Sequence, residues 1–242
     1  MATVDLRALQ QRAQLQNRFD AKYVVRSDIA QSIIEINARV LRVLEHEGMR
    51  NSTYGSRYFD SPDLASYRAH TQGRRLRFKV RTRHYGRPSE GFLEVKLKGV
   101  RAMTRKMRWS RDTSKIGASL GLDDESIVGR ELAIQYGLLP SWTWCQSLET
   151  SFTRATLLHD SGDRITIDEC VILGHDGRAI AANPDYAIVE VKSATSSGET
   201  RRMMTASGQR SMSVSKYCIG IAAIHNDVRS NVWRPQLRLL LG

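Results

Sequence analysis

Charged and apolar residues alternate along residues 74–83, which read RRLRFKVRTR. Successive side chains of a β-strand point to opposite faces of the sheet. The segment therefore predicts a strand with cations on one face, namely Arg75, Arg77, Lys79, Arg81 and Arg83. So many like charges on one face repel each other and are costly unless a polyanion neutralises them.

The same alternation recurs in five further segments. Their charged positions are Arg18, Asp20 and Lys22; Glu94, Lys96 and Lys98; Lys106 and Arg108; Arg164 and Asp168; and Glu190 and Lys192. Two architectures accommodate these faces. In one they look outward and form a basic exterior suited to nucleic acid. In the other they line the inside of a closed antiparallel barrel, and helices cover the apolar outside.

The carboxylates in these registers favour the second architecture. A surface that holds a nucleic-acid backbone gains nothing from Asp20, Glu94, Asp168 or Glu190, so no specific nucleic acid is expected as a partner. Acids among cations make sense if they orient the cations, or if they hold a divalent metal that bridges phosphate oxygens.

Composition agrees with a polyanionic ligand in one globular domain. The net charge is +12 and 41% of the 242 residues are hydrophobic. Nucleic acid, an anionic membrane surface and a phosphorylated small molecule all satisfy that charge. We expect one domain over residues 1–242, with residues 1–16 an N-terminal helix or tail and residues 221–242 a C-terminal extension. Three cysteines without CxxC spacing, and no long apolar stretch, predict a cytoplasmic protein without disulfides or zinc.

Three helices are predicted. The first covers residues 28–46, with Ser27 as its N-cap and Gly48 as its stop, and the others cover Asp123–Tyr136 and Gly198–Gln209. No GxxxxGKST loop is present in the sequence, so phosphate would be held by Arg and Lys side chains.

Eight ordered motifs resemble a known family. They are RFDAKY at 18–23, YFDSPDLASYRAH at 58–70, KVRTRHY at 79–85, FLEVKLK at 92–98, SFTRA at 151–155, RITID at 164–168, VEVK at 189–192 and SKY at 215–217. In this order the motifs resemble the VTC domain family, the polyphosphate polymerase branch of the CYTH-like triphosphate tunnel metalloenzymes.

The resemblance implies an α+β fold in which a closed, eight-stranded antiparallel β-barrel encloses the phosphates, with helices packed outside. It implies a metal, Mn²⁺ or Mg²⁺, on Glu190, and Asp20 and Glu94 are further candidate ligands. Together with the strand registers, the resemblance implies that these residues bind phosphate: Lys22, Arg75, Arg77, Lys79, Lys96, Lys106, Arg108, Arg154, Arg164 and Lys192.

Three residues are assigned to the chemistry. Arg81 and Arg83 would hold the central phosphates, and Lys216, one strand after Glu190, would stabilise the leaving or attacking oxygen. Other interpretations stay open: ion pairs of Arg81 and Arg83 with Glu94 or Asp168, an exposed strand-end position for Lys216, and Glu190 as counter-ion of Lys192.

The implied activity is transfer of the terminal phosphoryl group of ATP, or of another nucleoside triphosphate, onto polyphosphate. A separate membrane partner would export the product. The alternatives are hydrolysis of the triphosphate, and a non-catalytic module that binds polyphosphate or nucleic acid. Three departures from the family pattern bear on polymer synthesis: Asp20 replaces a longer Glu, Phe152 replaces a Tyr, and Ser213 replaces a second Lys shortly before the Lys of SKY.

Overall fold

The computed structural model describes residues 1–12, 19–99, 104–117 and 119–242, so Arg18 lies outside the described residues. The strands are β1 (Ala2–Val4), β2 (Phe19–Arg26), β3 (Leu41–Leu44), β4 (Asn51–Asp60), β5 (Arg77–Tyr85), β6 (Arg87–Lys98), β7 (Thr104–Arg111), β8 (Cys145–His159), β9 (Arg164–His175), β10 (Arg178–Ala181) and β11 (Tyr186–Ser193). The α-helices are α1 (Leu6–Arg12), α2 (Ser27–Ile36), α3 (Ala65–Thr71), α4 (Leu122–Tyr136), α5 (Glu199–Ala206), α6 (Lys216–Ile224) and α7 (Arg234–Leu241).

All described strands belong to one 11-stranded sheet. Its main path is antiparallel and runs β2-β11-β9-β8-β4-β5-β6-β7. Three short strands lie off this path: β1 pairs with β3 in parallel, β3 pairs with β8, and β10 pairs with β9. Because directly paired residues share a face, the registers determine which charged side chains lie together.

The predicted antiparallel sheet with helices is confirmed, and its main path has eight strands, but the predicted closure into a barrel is wrong. A barrel closes only when its first and last strands hydrogen-bond to each other. In the described ranges, no backbone ladder joins β2 to β7. The physical reason is visible at β2, where the carbonyl oxygen of Lys22 accepts a hydrogen bond of 2.8 Å from the backbone N–H of Met212. The segment before α6 therefore occupies part of the β2 edge that β7 would need.

The sheet nevertheless curls so that its charged faces approach each other. Lys96 of β6 interacts electrostatically with Lys22 and Asp20 of β2 and with Glu190 of β11, although β6 and β2 lie near opposite ends of the strand order. We call this side the inner face; it carries Lys22, Arg81, Lys96, Arg154 and Glu190.

The outer face is apolar and is covered by helices. Tyr23, Val189 and Met204 belong to one buried cluster, which packs residues of β2, β9 and β11 against α2 and α5. Val80, Leu93 and Leu132 belong to another, which packs β5 and β6 against α4. This is the arrangement that the second architecture predicts: charges inside and apolar sides under helices.

Helix α6 packs on the inner face. Tyr217 stacks on Tyr58 of β4, with ring centroids 5.0 Å apart. A Cβ atom on Gly220 would lie 2.5 Å from a side-chain atom of Leu148 in β8, so only glycine permits this close approach. With Ile188 and Phe152, these residues form a buried apolar cluster beside the charged groups.

The helix predictions are confirmed for α4 and α5, within a few residues, and the helix predicted over residues 28–46 is confirmed only as far as Ile36. Helix α2 ends at Ile36, and its N-cap residue is Arg26, so Ser27 is already helical. Residues 41–44 form β3, because Leu41 and Val43 alternate with exposed or half-buried neighbours and pack into the sheet. Gly48 lies in the turn before β4.

The N-terminal segment contains α1 together with strand β1, which was not predicted. Residues 221–242 contain the end of α6 and helix α7. Among the described residues, no helix is both long and apolar enough to cross a bilayer.

Candidate functional site

The strand registers bring the predicted cations and acids onto the inner face. Arg81 is paired with Glu94, and Glu94 with Arg108. Further pairs along the sheet are Lys79 with Lys96, Lys96 with Lys106, Arg154 with Asp168, Lys192 with Arg164, Glu190 with Lys22, and Lys192 with Asp20. These positions share one side of the sheet because cross-strand partners point the same way.

Glu94 joins two cations from neighbouring strands. Its side chain is 2% exposed; Arg81 Nε lies 2.8 Å from Oε2 and Lys106 Nζ lies 2.6 Å from Oε1. Burial alone would raise the pKa of Glu94, but the charges of Arg81, Arg83 and Lys106 lower it to about 2. Both carboxylate oxygens therefore contact cations, and the role of Glu94 as a metal ligand stays a prediction.

Asp168 joins two further cations. Arg154 binds it in a bidentate manner, with Nε 2.5 Å from Oδ1 and Nη2 2.7 Å from Oδ2. The ammonium group of Lys216 also donates to Asp168. Although burial opposes ionisation, Lys216 and Arg154 hold the pKa of Asp168 below its usual value. Arg81 is likewise ion-paired, with Glu94, as one of the open interpretations predicts, and its assignment to phosphate binding stays a prediction.

Lys216 is the first residue of α6, so the prediction that it lies on a strand is wrong. Its side chain is 12% exposed, against the alternative of an exposed strand-end lysine. The hydroxyl of Ser215 caps the helix by accepting from the N–H of Cys218 at 3.2 Å. The helix cap and the salt bridge to Asp168 together fix the ammonium group on the inner face.

Glu190 pairs with Lys192, with Oε1 2.5 Å from Nζ. Although burial opposes ionisation, Lys22 and Lys192 hold the pKa of Glu190 well below its usual range. Burial lowers the pKa of Lys192 to about 8, even with Glu190 beside it. In the structure, Glu190 is therefore the counter-ion of Lys192.

The donor set at Glu190 fits a metal that is shared with substrate. In the part of the chain that the structure describes, no three His, Cys, Asp or Glu side chains cluster as a ready metal cage. Glu190 and Asp20 lie diagonally on the adjacent strands β11 and β2. Hard cations such as Mg²⁺ are commonly held by one or two carboxylates plus phosphate oxygens and water. The pair suits that mode.

Three cations of the inner face bind neutral oxygens. Lys22 Nζ donates to the carbonyl of Val214 at 3.2 Å, Lys79 Nζ to the hydroxyl of Ser215 at 2.8 Å, and Arg83 Nε to the hydroxyl of Ser56 at 3.1 Å. In the described ranges, none of the three is ion-paired with a carboxylate. Burial lowers the pKa of Lys79 to about 8 and also lowers the pKa of Arg83.

The remaining predicted residues differ in position. Arg75 is exposed and precedes β5, which begins at Arg77, so its placement on the strand is wrong. Arg77 is half-buried, and Lys96 is exposed on the inner face. The guanidinium of Arg108 lies 4.4 Å from the centroid of the Phe92 ring.

Sequence reasoning assigned no role to Tyr58 or Ser215, which contact Arg81 and Lys79. Tyr58 stands in the YFDSPDLASYRAH motif and Ser215 in SKY. Tyr58 is identified by its register with Arg81, because the pairing of β4 with β5 places the two side chains on the same face of the sheet.

Comparison with known families gives a match over most of the chain. The model of the VTC domain matches residues 17–225. The chain belongs to the VTC domain family. The resemblance found in the eight motifs is thereby confirmed. No match was found among curated protein sequences.

Two solved structures are similar to this VTC domain at low sequence identity. The putative adenylyl cyclase HpAC1 from Hippeastrum, described as having a dominant triphosphatase activity, has a TM-score of 0.52 and 10% identity, and the match covers 86% of this chain and 96% of that one. The PH1819 protein from Pyrococcus horikoshii OT3 has a TM-score of 0.49 and 12% identity, and the match covers 87% of this chain and 99% of that one.

Proposed function

We propose that the protein is a metal-dependent phosphotransferase that moves the terminal phosphoryl group of ATP onto a polyphosphate chain bound at the inner face. One observation carries the proposal: Lys79 and Arg83 lie on this face with hydroxyl oxygens as their hydrogen-bond partners. Lys79 is half-buried and Arg83 is buried, and cations removed from water without an ion pair are costly. A phosphate chain supplies the missing negative charge, and membership in the VTC domain family agrees with such a ligand.

Phosphoryl transfer needs alignment and charge neutralisation more than covalent help from the protein. The bond between the terminal phosphorus and the bridging oxygen breaks, ADP leaves with that oxygen, and the phosphorus bonds to a terminal oxygen of the acceptor. Arg83 and Lys79 would hold non-bridging oxygens. Lys216, fixed by Asp168 and by the cap of α6, would stabilise the developing charge on the leaving or attacking oxygen.

Glu190 and Asp20 would hold Mn²⁺ or Mg²⁺ together with phosphate oxygens. The ion, when bound, neutralises charge on those oxygens. The salt bridge between Glu190 and Lys192 would then open, and Lys192 would be free to bind phosphate itself.

A second candidate, hydrolysis of the triphosphate, is favoured by the position of α6. Tyr217, Ile219 and Leu148 fill part of the inner face with buried apolar side chains. A growing polymer would need space that this cluster occupies, whereas water as acceptor needs none. A triphosphatase activity, described for HpAC1, is the corresponding reaction.

Incubation of the purified protein with ATP and Mn²⁺, followed by separate measurement of polyphosphate and free phosphate, tests the proposal. Polymer formation supports the phosphotransferase. Free phosphate without polymer supports hydrolysis, and neither product, together with saturable binding of polyphosphate, leaves a binding module.

A further inference from the structure

Tyr58 lies in the middle of the inner face. It is paired with Arg81 on one side and Leu148 on the other, and it is 5% exposed. Its hydroxyl oxygen accepts a hydrogen bond from Arg81 Nη1 at 2.9 Å. The side chain is thus in direct contact with a residue to which we assign phosphate binding.

The hydrogen-bonding capacity of this hydroxyl is only half used. A guanidinium group has donors and no acceptor, so Arg81 fills a lone pair of the oxygen and leaves the phenolic proton without an acceptor. Among the residues that the structure describes, Arg81 is the hydrogen-bond partner of the hydroxyl. A buried donor that lacks an acceptor is unfavourable, and an acceptor from a ligand relieves it.

The Tyr58 ring is held rigidly. It stacks on Tyr217, whose hydroxyl donates to the buried carboxylate of Asp60. Asp60 in turn accepts from the backbone N–H groups of Ser66 and Tyr67 at 2.9 and 3.0 Å. The hydroxyl position is therefore set before any ligand arrives, as a preorganised binding group requires.

We propose that Tyr58 is a substrate-binding residue, which donates its phenolic proton to a non-bridging oxygen of the phosphate chain beside Arg81. The inference rests on the proposed function, because it assumes a phosphate chain at the inner face. It adds a neutral donor to a set of cations, and a neutral donor binds phosphate only in its protonated form.

The charges around Tyr58 give the inference a spectroscopic signature. Arg81, Arg83 and Lys79 face it from β5, Tyr217 faces it from α6, and Glu94 of β6 lies behind Arg81. Burial alone would raise the pKa of Tyr58, but these cations lower it to about 8. A bound phosphate chain opposes the phenolate charge and accepts its proton in a hydrogen bond, so binding should raise this pKa.

Ultraviolet absorbance of tyrosinate, followed from neutral to alkaline pH with and without tripolyphosphate, tests the proposal, together with the tripolyphosphate affinity measured by calorimetry. We expect one tyrosine to ionise near pH 8 in the free protein. Tripolyphosphate should move this transition upward, and Tyr58→Phe should abolish it. At neutral pH, Tyr58→Phe should weaken tripolyphosphate binding about tenfold, as expected for loss of a hydrogen bond to a charged group.

Tyr136→Phe is the matched control, because the Tyr136 hydroxyl donates to the backbone carbonyls of Arg77 and Lys98 through α4, on the outer face. It should keep both the early transition and the affinity. Wild-type affinity in Tyr58→Phe, or an early transition that tripolyphosphate does not move, would overturn the role of Tyr58 alone. A wild-type protein that does not bind tripolyphosphate would overturn the proposed function as well.

Discussion

The ammonium group of Lys79 lies 2.8 Å from the hydroxyl oxygen of Ser215, the residue that caps the helix carrying Lys216. A half-buried cation of β5 is thereby joined to α6 through a neutral oxygen. The contact orients Lys79 without neutralising it. The positive charge of Lys79 remains available to a ligand, and it lowers the stability of the free protein.

Lys79→Met should stabilise the free protein near neutral pH and weaken tripolyphosphate binding. The pKa of Lys79 falls from 10.5 to about 8 on folding, so between these values the unfolded chain holds more protons and stability rises with pH. One pKa unit corresponds to about 1.4 kcal/mol, which sets an upper limit of roughly 3 kcal/mol for this destabilisation at neutral pH.

Urea unfolding at neutral pH and at high pH measures this effect. The increase in stability with pH should be smaller in Lys79→Met than in the wild type. An unchanged pH dependence would show that Lys79 is already neutralised in the folded protein. Arg202→Ala, on the exposed surface of α5, should behave as wild type and serves as the control.

Tripolyphosphate should raise the melting temperature of the protein. It binds cations that only the folded chain brings together, and a ligand at about 100 times its Kd stabilises by about 2.7 kcal/mol. Chloride at matched ionic strength acts only by screening and should give a much smaller shift. Equal shifts from both salts would contradict a specific site.

Glu190→Gln should abolish turnover while tripolyphosphate still binds without metal. The amide keeps the size of the side chain but lacks the charge that a hard cation requires. Metal-dependent activity and metal-free calorimetry separate the two effects. Glu199→Gln, at an exposed salt bridge of α5, is the control. Wild-type activity of Glu190→Gln across a metal titration would reduce Glu190 to a counter-ion of Lys192.

Tyr217→Phe should destabilise the protein by about 1–3 kcal/mol, because it leaves the buried Asp60 carboxylate without one of its donors. It should also lower kcat, since α6 positions Lys216. Tyr67→Phe removes a different hydroxyl, which donates to the carbonyl of Arg229 at 2.8 Å, and should leave kcat unchanged. Equal kcat losses in both variants would point to general loosening of the fold.

The sequence predicts the faces of the strands well, because alternation is a local property of the chain. The cations of β5 and the acids of β9 and β11 lie where their parity places them. The prediction for Arg75 is wrong because the alternation in the sequence starts before the strand does. The start of β5 at Arg77 is set by its pairing with β6. The open sheet could not be predicted, because Met212 reaches the β2 edge from almost two hundred residues away in the chain.

The position of Lys216 shows a different limit. Residues 217–224 form a short apolar run, and such a run is compatible with a buried strand or a buried helix. The cap of Ser215 on the N–H of Cys218 is local, but the close approach of Gly220 to Leu148 involves a strand far away in the chain. Which acid neutralises which cation is likewise a matter of register, so the neutral partners of Lys22 and Arg83 emerge only from the structure.

In the proposed mechanism, cations of the inner face act directly on the transferred phosphate. The phosphoryl-transfer rate of three variants, measured at low and high salt, tests this direct action. Arg83→Ala and Lys216→Ala remove inner-face cations, and Arg202→Ala removes an arginine that is 64% exposed. A preorganised cation at a buried site is worth about 3 kcal/mol, or roughly a hundredfold in rate, and salt screens it little. An exposed charge is worth about 1 kcal/mol or less. We predict that Arg83→Ala and Lys216→Ala lose about a hundredfold in phosphoryl-transfer rate at both salt concentrations, and that Arg202→Ala keeps a rate near that of the wild type. Similar rate losses in all three variants, which disappear at high salt, would contradict a direct action on the phosphate.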